Sequence, residues 1–470
     1  MLRAALVLLL LLLSTGPAHA QKTALTGATV YDGTGGAPLT DAVVVIDAGR
    51  IACVGADCAV PEGAEAVDLA GRFVTPGLVD GHVHYAQTGW IDGRPDSGVG
   101  TDHYDYEGLQ ASLRENPDRW HRAYLCSGVT AVFDPGGLPW TLDLEADAEN
   151  HTERPHIQAA GPLITHAEHV MGVVSALGTH TFLSMQTDEE AVEHVRELAA
   201  LGARAVKVWY LDPPPEQADA LDARLLLIGE EARKRGLPLI VHATELRNAK
   251  LALRAGAAML VHSVMDGPVD DEFLRLAREA GTVYAPTLLV MGNWARAGAS
   301  VGLGVVYPLD DPNGCVDAET RRVIAEAPTL TASAPERLRD PARQFDQLER
   351  SGRLLAVMEA NLARVHEAGI PVVTSTDAGN PLTVHGPSIY PEMEAMEAAG
   401  IPPEDVLVMS TRNGAAMMGR LDDFGTVEAG KLADLIVLTE DPGASTRAFR
   451  SITHVMRGGV LREVGHFAAQ

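Results

Sequence analysis

Eight short apolar runs, most of them followed by a helical run, constrain this 470-residue chain more than any other feature. They read RFVTPGLVDGHVH, GVTAVFDPG, HIQAAGPLIT, ARAVKVWY, LPLIVHAT, AAMLVHSV, TVYAPTLLV and IPVVTSTDAG. Between them stand helical segments such as DEEAVEHVRELAALGA and DARLLLIGEEARKRG. Parallel strands are buried on both faces and need crossover helices between them. Eight such units predict an α/β chain closed into a (β/α)8 (TIM) barrel over residues 76–420. The ends have another texture. Residues 21–75 and 421–470 alternate short β-rich runs with turns, as in AVVVIDAGRIACVGA and ADLIVLTE. They are predicted to join into one small β-sandwich. Residues 296–353, after the seventh strand, read as a partly helical insertion placed to act as a lid.

Residues 1–20 stand apart from both. Arg3 precedes the apolar run Ala4–Leu13, and Ala18-His-Ala20 is a small-x-small cleavage signal before Gln21. The run is too short to span a bilayer, so the segment reads as a secretory signal peptide and the protein as periplasmic or secreted. Gln21 is not a cysteine, so lipid anchoring is not indicated. The formal net charge is −26, and loss of Arg3 with the leader takes it to −27. Such a surface argues against nucleic acid or an anionic membrane as partner and leaves a small-molecule substrate, with homo-oligomerisation open. Cys53 and Cys58 are spaced to bridge a short hairpin, whereas Cys126 and Cys315 read as isolated. None has metal-site spacing, so a metal here would be held by nitrogen and oxygen.

Polar residues interrupt the apolar runs near their C-terminal ends. His82 and His84 close the first run, Lys207 lies in the fourth, His242 closes the fifth, His262 the sixth and Asp377 the eighth. Alternate strand residues share a face, so both histidines of HVH can reach one object. In a barrel these ends meet at one mouth. Four imidazoles and a carboxylate there form a donor set for zinc or a similar divalent ion. Lys207 sits in AVKVWY, where a buried ammonium is costly. A neutral amine could instead add carbon dioxide and bridge two ions as a carbamate.

These segments, together with STRNGAAMMG and the closing GTVEAGKLADLIVL, resemble the amidohydrolase superfamily. The branch most similar holds imidazolonepropionase-like enzymes and metal-dependent Xaa-Pro dipeptidases. The resemblance covers essentially the whole mature chain. It implies His82, His84 and Asp377 on a more buried metal, His242 and His262 on a second, and a carboxylated Lys207 between two divalent ions, with zinc the metal expected. It implies that Asp377 is catalytic, taking a proton from the attacking water and passing it to the leaving amine. His169 is the preferred substrate-carbonyl residue after the third strand, with His166 the alternate. His385 resembles a family histidine that shapes the pocket. Tyr210 should face away from Lys207.

The function expected is exported, metal-dependent hydrolysis of an amide bond in dipeptides or N-acyl amino acids. The first rival is a mononuclear imidazolonepropionase- or deaminase-like hydrolase of a nitrogen heterocycle, using the Glu245 of HATE for proton transfer. The second is a catalytically silent exported binding protein. Arg94, Arg247 and Arg412 are open candidates for a substrate carboxylate.

Overall fold

The computed structural model describes residues 22–94, 96, 103–168, 171 and 180–469. The proposed leader lies outside them. Strands β1 (Thr23–Val30), β2 (Leu39–Asp47), β3 (Arg50–Gly55), β4 (Glu65–Asp68) and β5 (Phe73–Pro76) come from the N-terminal part of the chain. Strands β15 (Leu435–Leu438), β16 (Ile452–Arg457) and β17 (Val460–Glu463) come from the other end. All eight are hydrogen-bonded into one continuous sheet, ordered β17-β16-β15-β5-β1-β2-β3 with β4 beside β1. The junction between the two ends of the chain is antiparallel, with Val74 opposite Val437. The sheet encloses its own apolar cluster around Leu25, Val44, Val74, Leu435 and Val437.

Gly77 turns the chain from that sheet into the barrel. A Cβ there would lie 2.1 Å from Thr130 Oγ1, so no larger residue fits. Next come β6 (Leu78–Asp80), β7 (Val129–Asp134), β8 (His156–Ala159), β9 (Leu163–Thr165), β10 (Phe182–Ser184), β11 (Val206–Trp209), β12 (Leu239–His242), β13 (Ala257–Val261) and β14 (Val283–Ala285). They form two parallel sheets, β6-β7-β8 and β10-β9-β11-β12-β13-β14. The Arg204 N–H bonds to the Ala159 carbonyl at 3.0 Å, so β8 and β9 are two halves of one barrel position. The eighth position, predicted as a strand, is irregular. Residues 371–378 bridge both neighbours through Tyr284 with Val372 and Val83 with Ala378. The Asp377 N–H donates to the His82 carbonyl and the His84 N–H to the Ala378 carbonyl. These bonds close the circuit.

Crossover helices begin and end where local chemistry dictates. Thr187 and Glu190 form a capping box at the start of helix Asp188–Leu201, which Gly202 ends in the left-handed region. The insertion is helical, as expected, with helices Val290–Leu303, Ala318–Ala325 and Pro341–Glu367 among its elements. It packs Val301, Val323 and Ile324 against Trp90 and Ile91 of the loop after β6. It is also bonded covalently to the barrel. Cys126 and Cys315, read from sequence as isolated, form a disulfide across a sequence separation of 189, and Cys53 pairs with Cys58. The sequence carries no local signal for the long pairing, because folding alone brings its two ends together.

Candidate active site

His82 and His84 follow β6, and the closing bonds to residues 371–378 bring Asp377 over them. His82 Nε2 and His84 Nε2 lie 3.1 Å apart. Asp377 Oδ1 stands 3.2 Å from the first and 3.0 Å from the second, yet has no hydrogen-bond donor of its own. All three residues are buried. His84 Nδ1 donates to the Gly136 carbonyl at 2.7 Å, which leaves its Nε2 as a lone pair in the neutral ring. Two imidazole nitrogens and a carboxylate oxygen facing one point repel one another unless a cation sits between them. Tetrahedral ligands at about 2.1 Å from an ion lie about 3.4 Å apart, close to these spacings. The donor set therefore fits a divalent metal.

His262 closes the same cluster. Its ring lies 4.5 Å from that of His242 and 5.3 Å from that of His82, between centroids, and Thr287 Oγ1 pairs with its Nδ1 at 2.6 Å. Burial holds the imidazoles of His82 and His242 well below their ordinary value and takes His262 down to about 4. These rings are neutral at physiological pH, the form that ligates metals. Burial also works against a charged His84, but Asp134 and Asp377 outweigh it and raise that ring to about 9, so a metal ion at Nε2 would take the place of a proton there. The same imidazoles draw Asp377 well below the carboxylate range in spite of its burial. Lys207 is 4% exposed, and burial lowers its amine to about 7.

The backbone is strained where the ligands are aimed. His262, Thr287 and Asp377 have φ of 73°, 46° and 60°, in a region that costs a side-chain-bearing residue on the order of 1–3 kcal/mol. Buried carboxyl groups over-determine these positions. Asp80 accepts from His82 N, Thr376 N and Thr376 Oγ1. Glu392 accepts from Leu288 N and Leu289 N, just beyond Thr287.

The six clustered residues, His82, His84, Lys207, His242, His262 and Asp377, line one cavity of about 340 Å³. Its other walls include Gln87, Arg94, Asp96, Leu163, Phe182, Trp209, Met265, Trp294 and Asn380. Arg94 pairs with both oxygens of Asp96, donates to Asn380 Oδ1 and lies over the Trp294 ring.

The other predicted residues fall elsewhere. His169 lies outside the described residues. His166 Nε2 pairs with the Leu211 carbonyl, and its ring stands edge-on to Tyr210. His385 sits behind the cavity wall. It stacks on Trp120, accepts from Tyr124 OH at Nδ1 and donates from Nε2 to the Gln87 carbonyl, and burial takes it down to about 3. It fixes Gln87 rather than facing the cavity. Tyr210 faces away from Lys207, as expected, and donates to Asp222. Glu245 accepts from Thr244 Oγ1 and Asn248 Nδ2. Arg247 pairs with Asp222, and Arg412 is exposed.

With this geometry in hand, comparison with known proteins is direct. A model of the amidohydrolase family matches residues 73–462. The chain belongs to the amidohydrolase family. It is 25% identical over 407 residues to the imidazolonepropionase of Cutibacterium acnes, covering 85% of this chain and 84% of that protein. A Xaa-Pro dipeptidase crystallised with methionine in its active site superposes with a TM-score of 0.71 at 20% identity, covering 94% of this chain and all of the other. Molinate hydrolase gives 0.67 at 22% identity, covering 95% of each chain. These two likenesses show the fold, a barrel with an additional sheet domain. As an amidohydrolase the protein is a metal-dependent hydrolase of C–N bonds acting on small molecules.

Sequence reasoning passed over Trp209, Phe182, Asp96 and Trp294, and left Arg94 as one of three open candidates, the one of the three that lines the cavity. Trp209 was within reach. It stands two residues beyond Lys207 on β11, so the strand's alternation puts both into the barrel mouth.

Proposed function

We propose that the protein is exported and hydrolyses the amide bond of dipeptides or N-acyl amino acids, with two divalent ions, zinc by preference, held at the barrel mouth. The observation that carries the reading is the convergence of His82, His84 and Asp377 beside His242, His262 and a buried lysine. His82, His84 and Asp377 would hold one ion, and His242 and His262 the other. Lys207, its amine lowered by burial to about 7, would add carbon dioxide with release of a proton, and the carbamate would supply further oxygen ligands to the metal site. Bound divalent ions supply a water of lowered pKa and polarise the scissile carbonyl. Asp377, which would hold the ion through Oδ1, would also accept the proton of the attacking water and return it to the leaving nitrogen. Export is supported by the leader-like residues 1–20 and by two disulfides, which persist in oxidising compartments.

The imidazolonepropionase relatives favour a second reading, a single ion and a nitrogen heterocycle. That reading needs Glu245 in proton transfer, whereas its carboxylate is engaged by Thr244 and Asn248. Metal content of the mature protein, expressed with zinc and bicarbonate, separates the two. About two equivalents are expected, with release of amino acid from the amide panel; about one equivalent and turnover of a heterocycle overturns the proposal.

A further inference from the structure

Around the barrel, the active-site cavity has two unlike walls. On the arc of strands three to six stand Leu163, Phe182, Trp209 and Met265. Phe182 and Trp209 are stacked at 5.6 Å, and the Trp209 ring meets His242 edge-on at 5.9 Å, so the aromatic surface begins beside the ligand cluster. On the arc of strands seven, eight and one stand Trp294, Asn380, Arg94 and Asp96. Among the described lining residues outside the six clustered ones, Arg94 and Asp96 are the only charged groups, and they already form a two-point ion pair.

A free dipeptide carries a charge at each end. Lying across the cluster, it would press one of them against the apolar wall. With its acyl half there, the ammonium faces Trp209 and Phe182 with no described carboxylate on that wall. With the opposite orientation its carboxylate does so, and the ammonium approaches Arg94 and Asp96, which already pair with each other. The carboxylate loses water on the aromatic wall without gaining a partner, and the ammonium gains only the ring faces, which repay part of that loss. We propose that the substrate is an N-acyl amino acid whose acyl group carries a flat aromatic ring, the ring lying on Trp209 and Phe182 and the single carboxylate turned toward the Arg94 side. This choice rests on the amide-hydrolase reading and selects between its two substrate classes.

The test is saturation-transfer NMR on the metal-loaded wild-type enzyme with N-benzoylglycine, N-acetylglycine and glycylglycine, released glycine being followed in the same samples. N-benzoylglycine is expected to bind about tenfold or more tighter than the other two, with its ring protons the most strongly saturated. Trp209→Leu should collapse that preference, and Phe182→Ala should reduce it independently if the first variant does not fold. Glycylglycine binding as tightly as N-benzoylglycine, or a preference unchanged in both variants, overturns the inference. The expected binding without glycine release supports the aromatic site and sinks amide hydrolysis. Glycine release from glycylglycine with no preference for the ring does the reverse.

Discussion

Lys207 and Trp209 stand two positions apart on one strand face, and each is there for a different partner. Replacing Lys207 by methionine keeps the length of the buried stem but removes the nitrogen. The purified variant is expected to hold about one metal equivalent instead of two, read by elemental analysis. Asp377→Asn keeps the shape of the side chain while removing the proton-accepting carboxylate. It should lower kcat by about a thousandfold or more while leaving the far-ultraviolet spectrum unchanged. Much of this site was legible residue by residue, because a histidine, lysine or aspartate closing an apolar strand is conspicuous. Aromatic residues are not, since Trp209 and Phe182 look like core. His385, expected to shape the pocket, acts from behind the wall: Trp120 and Tyr124 hold its ring, and its Nε2 holds Gln87, which lines the cavity.

Helices and loops hold the strained ligand positions through buried contacts that period and propensity do not reveal. Glu392, on helix Ile389–Ala398, is 1% exposed, and burial pushes its carboxyl up to about 8, against the pull of two backbone N–H donors. Its ordinary value is 4.5. A folded value above the unfolded one means a contribution to stability that is full below pH 4.5 and lost as pH rises through 8. Urea unfolding should therefore show a decline on the order of a few kcal/mol between pH 4.5 and pH 8, flattened in Glu392→Gln. The insertion depends on a different contact. Closing a loop of 189 residues, the Cys126–Cys315 bridge should contribute about 2–5 kcal/mol. Cys126→Ser/Cys315→Ser, denatured beside the wild type without reductant, should show that loss. The strand-and-helix rhythm predicted most elements, but the third run is two strands, β8 and β9, β10 was not read, and the eighth run is irregular: its residues 371–378 are shaped by bonds to both neighbours, which sequence pattern does not encode.

At the scale of the whole molecule, barrel and terminal sheet are one packed object. Ile436, Ile452, Val455 and Phe467 from the C-terminal part share the apolar cluster of the barrel helices and strands. A chain ending at residue 420 loses β15, β16 and β17 and leaves β5 unpaired on that side. It is expected in the insoluble fraction and the chain of residues 21–470 in the soluble one; fractionated lysates check this. The joining of the two ends was readable from their shared texture, but the single continuous hydrogen-bonded sheet was not, because strand order is set by tertiary contacts. The same joint has a temporal meaning. Tyr31 donates to Asp441 across 410 positions, and β5 must wait for β15. The joint therefore stays unmade until β15 has been synthesised. In a chain exported as proposed, that order would leave the sheet open while the residues before β15 cross the membrane.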